Sequence, residues 1–183
     1  MGLIVAKEDY RVELVHGEEV MMAPASATHN YIGGNLHFMI RRYLKGKRCK
    51  VFYETLVFFD KDERYIPDLM IVCDKSKYGH IEGAPDLIIE ILSPSTKKRD
   101  ITVKKDTYER FGVKEYWIVN PADRSIEVYH LVEDKYVLYG VYHDYSQEEW
   151  DFLTDEEKAR EKLTFKVSLY DDFEIDVREV FEE

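Results

Sequence analysis

Two cysteines among 183 residues are too few to build a disulfide scaffold. Cys49 and Cys73 show neither CxxC nor Cys/His spacing, so they read as reduced, partly buried thiols rather than as zinc ligands or a bridge. No apolar run approaches the length of a membrane span, and Lys7, Glu8, Asp9 and Arg11 leave no signal-peptide layout near the start. A cytoplasmic chain with no membrane partner is expected. P-loop, GxSxG and HExxH motifs are missing, as is a GxGxxG at a strand-to-helix junction, which leaves nucleotide, serine-hydrolase, zincin and dinucleotide chemistry without support. Repeats and low-complexity tracts are absent too. What is present is 45% hydrophobic residues, enough to bury one core, so residues 1–183 are expected to form a single domain.

The formal charge of −11 opposes nucleic-acid binding, which depends on Lys and Arg displacing counterions. Its distribution changes that picture. From His143 to Glu183 there are 15 acidic and 5 basic residues, leaving 22 acidic and 21 basic before them. The acidity is a C-terminal extension covering about 143–183. Arg41, Arg42, Lys45, Lys47, Arg48 and Lys50 form an acid-free basic cluster, and Lys97, Lys98, Arg99, Lys104 and Lys105 form a second. Such runs also occur on solvated helix ends and loops. Their position on either side of the carboxylates described below suits phosphate.

Residues 10–15 and 18–23 read as a hairpin around Gly17, with Pro24 to Ser26 breaking the pattern. Ile32, Leu36, Met39, Ile40, Tyr43 and Leu44 recur at spacings of three and four, which predicts a helix to about Leu44 with Thr28 as N-cap. The aromatic and β-branched run 50–59 and the strand 64–73 read as a second hairpin. After a loop at 74–85, residues 86–92 are nearly all aliphatic, as in a central strand covered on both faces. A helix starting between Thr96 and Ile101 and ending at Gly112 then leads to a strand at 114–119. Strand, helix, strand is a crossover, so those two strands should be parallel. Strands near 125–131 and 135–142 continue as a meander. A short helix at about 154–162 is opened by Thr154 and Glu157 in a capping-box pattern. The fold class is mixed α/β.

Three segments carry the chemistry: Tyr65-Ile-Pro-Asp68-Leu-Met-Ile-Val72, Asp86-Leu-Ile-Ile-Glu90-Ile-Leu-Ser-Pro94 and Asp100-Ile-Thr-Val-Lys104-Lys-Asp-Thr-Tyr108. Asp86 and Glu90 share a strand face, but four residues of rise separate them by roughly 13 Å, too far for one cation. If 64–73 neighbours 86–92, Asp68 can converge with Glu90 instead. Asp68 and Glu90 are therefore the expected metal ligands. Glu90 stands alone among Leu87, Ile88, Ile89, Ile91 and Leu92, and burying it requires a cation or hydrogen bonds. A buried salt bridge would satisfy it equally. Pro-Asp at a strand start is often only a turn, so Asp68 depends on the company of Glu90.

Asp100, Lys104 and Tyr108 are four apart and project from one helical face. Lys104 can extend from that face toward Glu90, to bind a phosphate or orient water. The bland alternative is a surface ion pair with Asp100. Lys105 is expected to face solvent. His29, at the start of the first helix, could bind phosphate, relay a proton or merely pack. Tyr53 and Glu54 are further candidates.

As a set, these residues resemble the PD-(D/E)XK nuclease superfamily and, within it, the Uma-two family of restriction endonucleases. The resemblance runs from Glu13-Leu-Val-His-Gly-Glu to Phe181. It rests on Met22-Ala-Pro24, His29, Pro67-Asp68, Glu90-Ile-Leu-Ser-Pro94-Ser, Arg99-Asp100, Lys104, Tyr108 and Gly112-Val-Lys-Glu-Tyr-Trp-Ile-Val-Asn-Pro121. The superfamily's lysine two positions after Glu90 is replaced by Leu92. In the Uma-two family that lysine stands on the following helix, the place of Lys104. The resemblance implies a restriction-endonuclease-like core of order αβββαβ, with an N-terminal hairpin and extra C-terminal strands. It also implies Asp68, Glu90 and the Ile91 carbonyl as metal ligands, and Lys104 as catalytic lysine. His29, Asp100 and Tyr108 match positions of less defined role.

The expected function is a Mg2+- or Mn2+-dependent endonuclease that cleaves DNA and acts as a homodimer. A nuclease-like module that binds nucleic acid or protein without turnover is the alternative. A purely structural or dimerisation protein is a third possibility, with Glu90 paired to a protein cation.

Overall fold

The computed structural model describes residues 11–94 and 97–182. Tyr10, where the first strand is expected to begin, Thr96 and Glu183 lie outside them. The chain opens with β1 (Val12–Val15) and β2 (Glu18–Met21). Both turn residues between them, His16 and Gly17, have positive φ, 51° and 80°. That conformation matches the twist of a two-residue hairpin and explains the glycine.

Helix α1 (Ala27–Tyr43) follows, with Ser26 rather than Thr28 as its N-cap. Ser26 has extended backbone angles and its side chain accepts from the His29 N–H, whereas Thr28 already lies in the first turn. Ile32, Leu36, Met39 and Ile40 form the buried stripe.

The expected hairpin 50–59/64–73 is split between two sheets. β3 (Lys50–Tyr53) pairs with β6 (Leu69–Val72), while β4 (Val57–Phe58) pairs with β5 (Arg64–Tyr65) and, in parallel, with β7 (Ile81–Glu82). Both runs break at the same level. Glu54, whose N–H still donates to the Asp68 carbonyl at 3.0 Å, has φ 42°, and Pro67, one step further, lacks a backbone donor. Asp68 sits at this bend.

β8 (Leu87–Ile91) leads into α2, three successive segments: Lys97–Arg99, a π-helical stretch Asp100–Lys104, and Lys105–Phe111. Gly112, with φ 83°, caps it. β9 (Glu115–Asn120) runs parallel to β8, as a crossover requires. β10 (Ser125–Val132) and β11 (Lys135–His143) continue antiparallel. Two short helices follow, α3 (Gln147–Phe152) and α4 (Asp155–Arg160), each opened by a capping box. β12 (Thr164–Lys166), β13 (Glu174–Asp176) and α5 (Val177–Phe181) complete the chain.

The main sheet has six strands in the order β11-β10-β9-β8-β6-β3, and a smaller one has the order β2-β1-β5-β4-β7. The series α1, β3, β6, β8, α2, β9 is the αβββαβ core. One face of the main sheet packs Leu69, Leu87, Ile89 and Ile91 against α1 and the C-terminal Phe165, Phe173 and Val180. The other face packs Met70, Ile88 and Ile118 against α2 and the small sheet through Tyr108, Tyr65 and Val57. Each such fully buried side chain contributes about 1.5–3 kcal/mol. Among the described residues no helix is long and apolar enough to cross a membrane.

One sequence expectation fails here. Cys49 and Cys73 are not free thiols but a disulfide between β3 and β6, with Cα atoms 3.9 Å apart. Lys50 pairs with Val72, so the next step of the ladder sets the two cysteines opposite each other. Local spacing carries no trace of a partner 24 residues away.

Candidate active site

Leu69 pairs with Ile89 across β6 and β8. The next step outward places Asp68 opposite Glu90, and both share the face of Met70 and Ile88. Directly opposed residues have Cβ atoms about 4.5–5.5 Å apart, close enough for two carboxylates to share one cation. Asp68 Oδ2 accepts from the Ile91 N–H at 2.7 Å and lies 3.1 Å from His29 Nε2. His29 belongs to the first turn of α1, which reaches this end of the sheet, and it also engages the Ile91 backbone.

The π-helical stretch of α2 buries Asp100 and Lys104 together, each about 1% exposed. Wider turns of this kind recur at functional sites because they re-aim side chains. Lys104 Nζ donates to Glu90 Oε1 at 2.9 Å and lies 3.1 Å from Glu13 Oε1 and 3.5 Å from Asp100 Oδ1. Tyr108 donates its hydroxyl to the same Glu90 oxygen at 2.6 Å. The ion pair of Asp100 with Lys104 is thus real but buried, part of a larger cluster.

Two members of that cluster, Glu13 and Arg99, carry no site role in the sequence reading. Glu13, fully buried on β1, accepts from the Ile66 N–H at 3.1 Å and pairs with Arg99 at 3.2 Å. A lone acid between Val12 and Leu14 is a signal like that at Glu90, but on a hairpin strand alternation alone also allows it to face water. On the sequence, Arg99 belongs to a basic cluster suited to phosphate and to the Arg99-Asp100 segment of the family resemblance. In the structure that cluster dissolves: Arg99 and Lys104 turn inward, Lys97 and Lys98 stay exposed, and Lys105, rather than simply facing solvent, lies over the Tyr129 ring. Asp86 has a structural role, accepting from the Cys73 N–H and pairing with Lys114.

His29, Asp68, Glu90, Asp100 and Lys104 line a cleft of about 540 Å³ together with the Met22–Ala25 segment. Tyr53 and Glu54 also line it, with Arg11 paired to Glu54. Gly33 leaves room for Tyr53, since a Cβ there would sit 3.1 Å from its hydroxyl.

Charge is unbalanced in this cleft. Glu54, Asp68, Glu90 and Asp100 face Arg11 and Lys104, a formal excess of two negative charges. Burial pushes the Glu90 carboxyl well above the usual range; Lys104 opposes this, and Asp100, Asp68 and Glu13 add to it. Burial would lower Lys104, but the carboxylates of Glu90, Glu13 and Asp100 outweigh it and raise the ammonium. Burial likewise pulls His29 down, yet its hydrogen bond to Asp68 and the Asp68 charge leave it raised. Tyr108 is raised by burial and by Glu90 and stays a neutral donor. Glu90 therefore favours taking up a proton or a cation.

Hard oxygen donors and excess negative charge match the chemistry of a small divalent ion. Asp68, Glu90 and the Ile91 carbonyl are groups of that kind. Among the described residues no group of three or more His, Cys, Asp or Glu side chains forms a metal cage, so a backbone or water oxygen would have to complete the set.

The profile of a family described as "Uma2: Putative restriction endonuclease" matches residues 3–163. The chain belongs to the Uma2 family. Among curated proteins, this Uma2 chain is similar to two from Synechocystis sp. (strain ATCC 27184 / PCC 6803 / Kazusa). "Uncharacterized protein sll1609" is 25% identical over 130 residues, covering 67% of this chain and 73% of the relative. "Uncharacterized protein slr1290" is 27% identical over 127 residues, covering 67% of each. Among solved structures, a nuclease of the DUF820 group from Anabaena variabilis ATCC 29413, titled "putative", superimposes with TM-score 0.71 at 18% identity. It covers 93% of this chain and 89% of its own, and at that identity it shows the shared fold.

Proposed function

We propose that this Uma2 chain is a Mg2+-dependent endonuclease, also served by Mn2+, that hydrolyses DNA phosphodiester bonds in the cytoplasm as a homodimer. The observation that carries the reading is the meeting of Asp68 and Glu90 from adjacent strands, with Lys104 Nζ 2.9 Å from Glu90. Asp68, Glu90 and the Ile91 carbonyl would hold the ion. When bound, such an ion supplies Lewis-acid charge to a phosphate oxygen and lowers the pKa of water. Lys104 presents a fixed positive charge at the edge of this set, where it binds the scissile phosphate and orients the attacking water. In the displacement, the water oxygen adds to phosphorus as the opposite P–O bond breaks. His29 orients the Asp68 carboxylate, and Tyr108 and Asp100 keep Glu90 and Lys104 in place.

Plasmid nicking with Mg2+ or Mn2+ tests the reading. Wild type should cleave, and Asp68→Ala and Glu90→Ala should lose about a hundredfold or more, at least the loss that follows when a partner of a metal ligand is removed. Cleavage that survives both substitutions rules the assignment out.

A second reading, a module that holds the cation without turnover, is favoured by the burial of Lys104 among three carboxylates. Mn2+ binding by calorimetry without cleavage of any DNA or RNA would select it.

A further inference from the structure

At the opposite end of α1 from His29 lies a second groove, of about 950 Å³, with an apolar floor that includes Phe38, Phe52 and Tyr78. Arg41, Arg42, Lys45 and Lys50 rim it. Arg42 pairs loosely with Glu179 at 3.6 Å, and among the described residues Arg41 and Lys45 form no ion pair. Phe38 is 63% exposed. Four positive charges around an uncovered apolar floor call for an acidic partner with an apolar tip.

The chain carries such an element. Helices α3 and α4 bury no residue of their own. Between Gln147 and Arg160 they hold six acidic and two basic residues, a net −4 against the +4 of the rim. Phe152, at the end of α3, is 82% exposed, the highest value of any large apolar side chain described. A single exposed ring is ordinary, but this one stands on an acidic helix opposite in charge to the rim of the groove.

No residue of α3 or α4 lines the groove of its own chain. Both ends of the helix pair are tied down: the Asp144 N–H donates to the Arg124 carbonyl and the Val177 N–H to the Leu163 carbonyl, each at 2.9 Å. The pair cannot swing far as a unit. A second copy can bring it there.

We infer that the groove receives α3 and α4 of a second copy of this chain, with Phe152 on the apolar floor and the acidic side chains against Arg41 and Lys45. Repeated by a two-fold axis, the contact occurs twice and closes a dimer. Apolar burial then supplies the affinity, and the charges supply register and salt dependence. This gives the proposed homodimer a surface, and it stands apart from the catalytic assignment, since it uses none of the cleft residues.

Sedimentation velocity on the full chain, at low and at high salt, tests it. Wild type should dimerise at low salt and weaken as salt rises. Phe152→Ala and the pair Arg41→Glu/Lys45→Glu should each weaken dimerisation by roughly tenfold or more, with far-UV circular dichroism spectra unchanged because these side chains are exposed. Adding Glu148→Lys/Asp151→Lys to the Arg41→Glu/Lys45→Glu protein should restore the dimer. A wild type that is monomeric throughout, or a dimer indifferent to both sets, overturns the inference. So does a dimer that persists in Arg41→Glu/Lys45→Glu while DNA binding disappears, because the groove then serves nucleic acid. The nicking assay on Asp68 and Glu90 variants reports separately on the nuclease reading.

Discussion

The ammonium of Lys104 is shared between two carboxylates from different sheets, Glu90 at 2.9 Å and Glu13 at 3.1 Å. Glu13 thereby ties the N-terminal hairpin to β8 through one buried charge. Its other oxygen pairs with Arg99, so both cations of the cluster depend on it.

Replacing Glu13 with Ala should destabilise the fold by about 3–5 kcal/mol, the usual result of leaving a buried charge without its partner. Glu13→Gln should cost less, since its amide oxygen still accepts from the Ile66 N–H. Urea denaturation of the two variants beside wild type checks the order, and a Glu13→Gln protein as stable as wild type would refute a charge role for Glu13.

Lys104→Met should separate binding from turnover. Removing the ammonium leaves the Asp68/Glu90 pair more negative, so Mn2+ should bind at least as tightly by calorimetry. Nicking should fall by about a hundredfold or more, the order of loss when a preorganised charge is removed from a transition state. Weaker Mn2+ binding would mean that Lys104 serves folding alone.

Glu90 and His29 both hold protons more tightly in the folded chain than at their ordinary values of 4.5 and 6.5. Such groups favour the folded state below the unfolded value, and the preference is lost as pH rises through the folded one. Their contribution to metal-free stability should therefore decline as pH rises above 4.5 for Glu90 and above 6.5 for His29. Mn2+ held at the proposed site would displace the proton on Glu90, so the melting temperature gained from Mn2+ should grow as pH rises. Melting curves at matched pH, with and without MnCl2, measure this; a gain that shrinks with rising pH would contradict it.

The Cys49–Cys73 bridge closes a loop of 24 residues, for which chain entropy gives about 3 kcal/mol. In oxidising buffer Cys73→Ser should lose stability of that order, and with excess dithiothreitol the difference should vanish. In a reducing cytoplasm the pair would stand as thiols. A variant as stable as the oxidised wild type would show that the bridge does not stabilise the protein.

Much of the site was legible in the residues because its chemistry is locally odd. Glu90 is an acid inside an aliphatic strand, and the order strand, helix, strand fixed a parallel neighbour for it. Asp100, Lys104 and Tyr108 share a helical face by spacing alone. Glu13 and Arg99 were not legible, because each looks ordinary beside its neighbours and acquires its role only from a contact far along the chain. The N-cap was misplaced by two residues, Thr28 for Ser26, since either could cap and the backbone angles decide.

The order of elements, the aliphatic central strand and the segregation of acid to the C-terminal third follow from the chain itself, for these depend on nearest neighbours and composition. Which carboxylates meet, how Lys104 is shared, the bend that splits one expected hairpin across two sheets, and the pairing of Cys49 with Cys73 were decided by tertiary structure. Each depends on strand register, and register is set by how whole faces bury against one another, which no single segment encodes.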